Sequence, residues 1–251
     1  MVRRRVRAAA LLAAAFLVCV CRSSGPSKAD EGDDQRVLQF SGRDIWRNGA
    51  FVHGGLIYAP RGFERDGFML KLVLDGGVYR YSSGSLGQDV IGVEWGVQAL
   101  PGFRIKRGDA EMKFFFGPEL QHHKLRPDDT ANRLRDYLFG LRMAGELWYE
   151  PTPGTLIAGD ASLSTLASGR SARLAYGWRI AEELFTYGVY VGPEVQYFGS
   201  EGGYHQRRIG LHMTSMKTEA TEWSASIGFA IDTIGRSSPY ARLGLSQKIT
   251  D

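Results

Sequence analysis

The chain has 251 residues with 32 glycines, 12% aromatic residues and a formal net charge of +4. The first 29 residues hold six of the 31 basic residues and none of the 27 acidic ones, so the remainder carries a net charge of −2. The basic isoelectric point therefore belongs largely to the N-terminal segment and gives no argument for a nucleic-acid partner. Both cysteines, Cys19 and Cys21, also lie in that segment, which excludes disulfide and thiol chemistry from the rest.

Residues 1–29 have the pattern of a secretory signal peptide. Arginines at positions 3, 4, 5 and 7 precede the uncharged apolar run 8–20, and Ser27-Lys28-Ala29 offers small residues for cleavage. Valines 18 and 20 precede the two cysteines at positions where a lipidation motif requires a small residue. We predict export, cleavage near Ala29 and an acidic flexible leader at 30–35, followed by one domain at 36–251.

Apolar and polar residues alternate with a period of two along most of the domain, as in strands with one apolar face. The clearest apolar series is Ile91, Val93, Trp95, Val97 and Ala99, and further series run through 110–117, 137–149 and 223–232. This pattern predicts twelve strands, at 36–46, 50–60, 67–81, 89–99, 109–121, 136–150, 155–166, 171–180, 185–198, 205–214, 222–233 and 239–249.

These segments favour a transmembrane antiparallel up-and-down β-barrel of about twelve strands over a soluble β-sandwich or a lipocalin-like barrel. Most have roughly 10–14 residues, which suits tilted membrane strands, whereas soluble strands average about 5–6. Aromatic residues lie near segment ends, as in interfacial girdles. They are Trp46, Tyr58, Tyr137, Tyr149, Trp178, Tyr187, Tyr197, Trp223 and Tyr240.

The polar faces of the strands would line the lumen of such a barrel. Eight acidic residues would point inward: Asp75, Glu94, Glu111, Glu119, Glu146, Asp160, Glu194 and Asp232. They are matched by eight basic residues: Lys71, Lys113, Arg142, Arg173, Arg179, Arg208, Arg242 and Lys248. Such a set either braces the wall as an ion-pair lattice or binds a hydrophilic solute, with Phe115, Trp148 and Tyr190 available to stack on sugar rings.

Catalytic and metal sites have little support in the sequence. We expect His122-His123 to begin a loop, where adjacent side chains diverge and do not share a metal ion. His212, Asp160 and Ser162 are the residue types of a hydrolase triad, but no GxSxG or HExxH motif accompanies them. Glu182 and Glu183 are expected in a turn. We therefore predict no enzyme activity, no metal and no cofactor.

Several stretches of the domain carry distinctive motifs. The most specific is ELWYEPTP at 146–153 followed by GDAS at 159–162, and FSGRD at 40–44, VGPE at 191–194 and QRRIG at 206–210 add to it. Together these stretches resemble the BcsS family of bacterial cellulose biosynthesis proteins. The resemblance covers nearly all of the chain after the signal peptide. It implies an outer-membrane barrel that works with a cellulose synthase system, and it supplies no catalytic residues.

The resemblance and the strand pattern together predict an accessory protein that assists export or surface anchoring of β-1,4-glucan. Its expected partners are outer-membrane lipid, cellulose and other cellulose-secretion components. Two alternatives stay open at this point: a porin-like channel for small hydrophilic solutes, and an outer-membrane hydrolase acting on lipid or glycan.

Overall fold

The computed structural model describes residues 35–180, 188–201, 204–218 and 221–249. The predicted signal peptide, nearly all of the leader, and Glu182 and Glu183 lie outside the described residues.

The described residues form a closed antiparallel barrel in which each strand pairs with its neighbours in sequence and β1 pairs with β12. This confirms the prediction of an all-β, up-and-down barrel of twelve strands. Within the described ranges, no helix is long and apolar enough to cross a membrane. The strands are β1 (Val37–Trp46), β2 (Gly49–Tyr58), β3 (Gly67–Ser83), β4 (Gln88–Arg107), β5 (Ala110–Arg126), β6 (Asp136–Thr152), β7 (Thr155–Ser164), β8 (Arg170–Ile180), β9 (Val189–Gly199), β10 (His205–Thr218), β11 (Thr221–Asp232) and β12 (Ser237–Ile249).

The two faces of the wall follow the alternation in the sequence, because side chains paired across an antiparallel ladder point to the same face. Ile227 and Phe229 are each 65% exposed on the outward face, whereas Asp232 on the inward face is 4% exposed. Leu141 likewise points outward next to the inward Arg142.

Among the strands that exceed their predicted bounds, β4 and β5 extend furthest. We expected β4 to end at residue 99, but it runs through Pro101 to Arg107. The pairing of β4 with β5 skips the stretch that contains Pro101 and resumes at Gly102. Pro101 has no amide hydrogen, and the ladder between β4 and β5 requires none at that position. The loop predicted at His122-His123 is wrong as well, since β5 continues to Arg126.

Most of the predicted aromatic girdle lies on the outward face, but two of its members do not. Tyr58, Tyr137, Tyr149, Trp178 and Trp223 are among the exposed aromatic residues. Trp46 and Tyr240 instead pair with each other on the inward face. Their position near segment ends was misleading, because strand parity decides the face that a side chain occupies. Tyr187 lies outside the described residues.

The two ends of the barrel differ. We call the end at Val37 and Ile249 the terminal end and the opposite one the loop end. At the terminal end, the described connections are 59–66, 108–109 and 153–154. At the loop end, they are 47–48, 84–87, 127–135, 165–169, 200–201 together with 204, and 233–236, with a short 3-10 helix at Leu166–Ser168.

The terminal half of the lumen is packed with apolar side chains. One cluster, here called the plug, consists of Ile57, Ala59, Phe63, Met69, Leu100 and Phe115. Phe115, Met69 and Leu100 are each at most 2% exposed. A second cluster joins Leu156, Ala158 and Tyr190 to Trp148.

Candidate functional site

The loop half of the lumen contains a cavity of about 1070 Å³, here called the vestibule. It is bounded by the inward faces of the strands and by loop-end connections, including residues 131–134 and 200–201. The strand residues in its wall include His53, Glu94 and Asp160. The size is that of an ordinary small-molecule or oligosaccharide site.

Aromatic side chains form much of the vestibule wall. They are Trp46, Phe51, Tyr79, Tyr81, Phe198 and Tyr204. The rings of Tyr79 and Tyr81 stack with centroids 6.2 Å apart. Tyr79 lies against Gly92 on the neighbouring strand, where a Cβ would come within 2.3 Å of the tyrosine ring. Burial raises the pKa of Tyr204, in the 200–204 connection, to about 12, so its phenol stays neutral.

The connection 127–135 is fastened to the wall of the vestibule through Asp129, whose side chain is buried. Its carboxylate accepts hydrogen bonds from Tyr81 Oη and Ser85 Oγ, both at 2.9 Å, and from the amide of Ala131. Hydrogen bonds from Ser83, Ser85 and Tyr81 hold the pKa of Asp129 below its usual value. The carboxylate is therefore the ionised anchor of this connection.

Charges around the vestibule are balanced, with six acidic and six arginine side chains in its lining. Arg208 donates to both carboxylate oxygens of Asp44, at 2.6 and 2.9 Å, and its guanidinium lies over the rings of Phe198 and Tyr240. Arg236 pairs with Asp232 at 2.8 Å. A wall of this kind suits a neutral polar ligand better than a strongly charged one.

Some polar groups in the lining have hydrogen-bonding capacity to spare. Asn48 and Gln206 are 4% and 2% exposed, yet Asn48 Nδ2 and Gln206 Nε2 have no hydrogen-bond partner within the described part of the chain. The oxygens of these amides accept from Arg80 at 3.4 Å and from Arg208 at 3.0 Å, which leaves the nitrogens as donors. Among the described residues, Arg242 also has no hydrogen bond or ion pair. Unpaired buried donors are costly unless a ligand or water satisfies them.

Below the vestibule, ion pairs cross the terminal half of the lumen. Glu111 binds Arg104 at 2.6 Å and Lys113 at 3.0 Å, and Glu146 binds Lys71 at 2.6 Å and Lys113 at 3.5 Å. The five residues form a continuous chain of alternating charge, which braces the wall.

Two further carboxylates have no exposed side-chain surface. Glu119 binds Arg142 Nε at 2.8 Å and accepts a hydrogen bond from Ser164. Glu194 accepts from Arg173 Nε at 2.8 Å, from Tyr240 Oη at 2.7 Å and from Gln196 Nε2 at 2.6 Å. Such fully bonded carboxylates hold the wall rigidly and leave little capacity for a ligand.

The fifteen sequence candidates thus fall into four groups. Those that line the vestibule are Glu94, Asp160, Arg173, Arg208, Asp232 and Arg242. Those in the ion-pair network below it are Glu111, Glu119, Arg142, Glu146 and Glu194. Those in apolar clusters are Phe115, Trp148 and Tyr190, which do not line the vestibule. Arg179 reaches the carbonyl of Pro153 near the terminal end.

The metal and triad alternatives find no matching geometry. His122 lies on the outward face against Trp95 and Tyr137, while His123 points inward to Tyr79 Oη at 3.0 Å. Across the described ranges, no three His, Cys, Asp or Glu side chains are placed to hold a metal ion.

The residues proposed for a hydrolase triad are each engaged elsewhere. His212 Nδ1 contacts Thr214 Oγ1 at 2.9 Å and its Nε2 contacts the carbonyl of Tyr176 at 3.1 Å. The hydroxyl of Ser162 bonds to Arg142 and Ser171. The serine and histidine are therefore not brought together.

A closed twelve-stranded barrel with an apolar outward face and a polar lumen defines the class of outer-membrane β-barrels. Within this class, the family described as cellulose biosynthesis protein BcsS matches residues 38–249, and the chain belongs to that family. It therefore has a role in cellulose biosynthesis. No curated protein is significantly similar in sequence.

Solved barrels resemble the fold at low sequence identity. An outer membrane channel from Pseudomonas putida F1 is 11% identical with a TM-score of 0.53, over 90% of this chain and 100% of the channel. The translocator domain of the autotransporter NalP from Neisseria meningitidis is 11% identical, with a TM-score of 0.47 over 98% of each chain. The KdgM porin is 10% identical, with a TM-score of 0.44 over 85% of this chain and 99% of the porin.

Proposed function

We propose that this protein resides in the outer membrane and holds β-1,4-glucan at the cell surface by binding a segment of the polymer in the vestibule. The observation that carries the proposal is the division of the lumen into an open, aromatic-lined polar half and a half that is filled by the plug and by paired charges. A cavity that opens at one end of the barrel can bind a segment of the polymer without passing it through, as an anchor requires.

The proposed location follows from the outward face. Large apolar side chains cover it, among them Phe139 at 74% and Phe116 at 57% exposure, and an apolar surface of this extent is stable only against lipid. Membrane barrels have short periplasmic turns and longer extracellular loops. Two of the three described connections at the terminal end, 108–109 and 153–154, have two residues each, whereas every described connection at the loop end except 47–48 is longer. We therefore place the terminal end in the periplasm and the vestibule outside.

The glucan specificity follows from the chemistry of the vestibule. A β-1,4-glucan is uncharged and hydroxyl-rich, and its sugar rings have apolar faces that stack on aromatic side chains. Trp46, Tyr81 and Tyr204 supply such surfaces. Asn48 Nδ2 and Gln206 Nε2 supply donors that lack partners. The balanced charge of the lining favours this neutral ligand over a charged one.

The plug favours anchoring over passage through the barrel. A glucan chain that crossed the lumen would have to displace the packed side chains of Phe115, Met69 and Leu100. Losing the contacts of one such residue costs about 2–5 kcal/mol. Anchoring needs no such rearrangement, and the same packing counts against a porin-like channel.

Deletion of the gene tests the role. We expect less cell-attached cellulose, more cellulose released into the medium, and unchanged synthase activity in isolated inner membranes. The synthase uses a cytoplasmic nucleotide-sugar, which an exported barrel does not meet. Unchanged attachment and yield in the deletion strain would overturn the proposal.

Complementation with variants locates the site. Trp46→Ala with Tyr204→Ala should reproduce the deletion, because both side chains line the vestibule. Trp178→Ala with Tyr149→Ala removes the same residue types from the outward face and is the matched control. If Phe115→Ala reduces export while the vestibule variant is silent, chains pass through the lumen instead.

A further inference from the structure

Five basic side chains of the described residues surround the outward face of the barrel near its loop end. They are Arg43, Lys124, Arg126, Arg170 and Arg207, here called the basic rim, and all are exposed. Strand register places them outside the barrel. Lys124 and Arg126 pair with the exposed Val93 and Ile91, Arg43 pairs with Leu243, and Arg207 pairs with Ile231.

Most of the basic rim lacks a counter-ion. Among the described residues, Arg43, Lys124, Arg126 and Arg207 form no ion pair or hydrogen bond. Arg170 lies over the ring of Tyr197. Unpaired cations clustered on one face raise the local positive potential and attract anions.

The terminal end does not repeat this arrangement. There, Arg107 carries a positive charge at the end of β4, and it is paired with Asp66 in the connection 59–66. A hydrogen bond from Arg107 holds the pKa of Asp66 below its usual value, so the pair is ionised. Arg107 is therefore neutralised by a neighbouring acid, whereas most cations of the basic rim are not.

An aromatic row separates the basic rim from the apolar band. Trp95, His122 and Tyr137 are neighbours in register on β4, β5 and β6, and their ring centroids lie 4.4–6.0 Å apart. Along β5, the outward residues change from Phe114 and Phe116 to His122 and then to Lys124 and Arg126. This order of apolar, aromatic and cationic residues matches the layers of a bilayer from hydrocarbon to headgroup.

We infer that Lys124 and Arg126, with the rest of the basic rim, form a binding site for the acidic headgroup of lipopolysaccharide in the outer leaflet. Lys124 and Arg126 are about 7 Å apart on one strand face, so they can contact neighbouring phosphate or carboxylate groups. Arginine and lysine bind phosphate oxygens through charge-assisted hydrogen bonds, and the aromatic row borders the acyl chains. A protein partner is less suited, because the site continues directly into the apolar band.

The inference rests on the outer-membrane location and the orientation proposed above, but not on the binding of glucan. It assigns the outward surface a ligand of its own. It also explains why unpaired charges lie beside exposed Ile91 and Val93, where lipid tails alone would make them unfavourable.

Binding of purified lipid A to the full-length barrel, refolded in neutral detergent, tests the inference. Native mass spectrometry gives the apparent affinity for wild type and for Lys124→Ala with Arg126→Ala. The loss should be about thirtyfold if each cation contributes as basic residues near anionic membranes do. Arg61→Ala removes an exposed arginine from the connection 59–66 at the opposite end and should change nothing.

Two further measurements make the result unambiguous. Binding of lipid A to wild type should weaken as salt is raised, and phosphatidylcholine should bind no more weakly to the double variant than to wild type. If the double variant fails to refold, Lys124→Ala alone and the salt titration decide. Equal lipid A affinity in wild type and variant, equal loss in Arg61→Ala, or no salt dependence would overturn the site. Fractionation into the soluble periplasm would instead refute the proposed location.

Discussion

Arginine substitutions along the outward face of β11 test whether the barrel is embedded in lipid. Ile227 is the third of five outward positions between Trp223 and Ile231, which places it near the middle of the apolar band. Arginine at the bilayer midplane costs about 2–4 kcal/mol, falling to about 0–1 kcal/mol near the interface.

The structure predicts how quickly that cost should fall. Ile231 lies four residues further along the strand, about 14 Å at 3.4 Å per residue, or about 10 Å of depth for a strand tilted by 40°. The apolar band of such barrels is about 25 Å tall, so Ile231 lies near its edge. Ile227→Arg should therefore destabilise the barrel by about 2–4 kcal/mol, and Ile231→Arg by about 1 kcal/mol.

The assay is urea-dependent folding into lipid vesicles, followed by tryptophan fluorescence and by heat-modifiable migration on gels. Asp232→Asn is the inward control on the same strand. Its amide oxygen can still accept from the backbone amides of Ile234 and Arg236, so the barrel should assemble normally. Equal tolerance of Ile227→Arg and Ile231→Arg would refute the lipid-facing assignment.

Three further outcomes follow from the lumen and the loop end. Glu194→Ala should destabilise the barrel by about 3–5 kcal/mol, measured by the same unfolding assay, because it leaves Arg173 buried without its main partner. Asp129→Ala should free the connection 127–135 and speed tryptic cleavage after Arg133 at pH 8. Because the pKa of Asp129 is lowered on folding, its contribution is complete above about pH 4 and is lost as pH falls further, so hydrogen exchange of this connection should rise only in acid. Phe115→Ala should raise single-channel conductance in planar bilayers above a low wild-type level, because Phe115 is the largest fully buried side chain of the plug.

Much of the barrel could be predicted because a strand has a period of two. The alternation at 91–99 and 223–232 determines both the strand and the side that each residue faces. Strand ends were harder. Pro101 and the polar pair His122-His123 look like boundaries, but neighbouring strands continue beside them and supply pairing that a single segment does not reveal.

The division of the lumen could not be predicted from the sequence. The alternation within each strand places both Phe115 and Phe51 on the inward face. Phe115 nevertheless lies in the plug, whereas Phe51 lines the vestibule. Contacts across the lumen, such as that between Arg208 and Asp44, join residues 164 positions apart, and local patterns carry no information on them. The amide nitrogens of Asn48 and Gln206 are left as donors because Arg80 and Arg208 bind the two amide oxygens. Local sequence patterns do not reveal these contacts either.

Binding of cellohexaose to the refolded barrel tests the central claim most directly. Isothermal titration calorimetry should give saturable binding of one oligosaccharide per barrel to wild type and to the outward control Trp178→Ala with Tyr149→Ala. Base stacking on aromatic residues contributes about 1–3 kcal/mol per contact in other systems, and a comparable contribution from Trp46 and Tyr204 predicts at least about tenfold weaker binding in Trp46→Ala with Tyr204→Ala. Equal affinity in all three proteins, or no binding to wild type, would contradict the account.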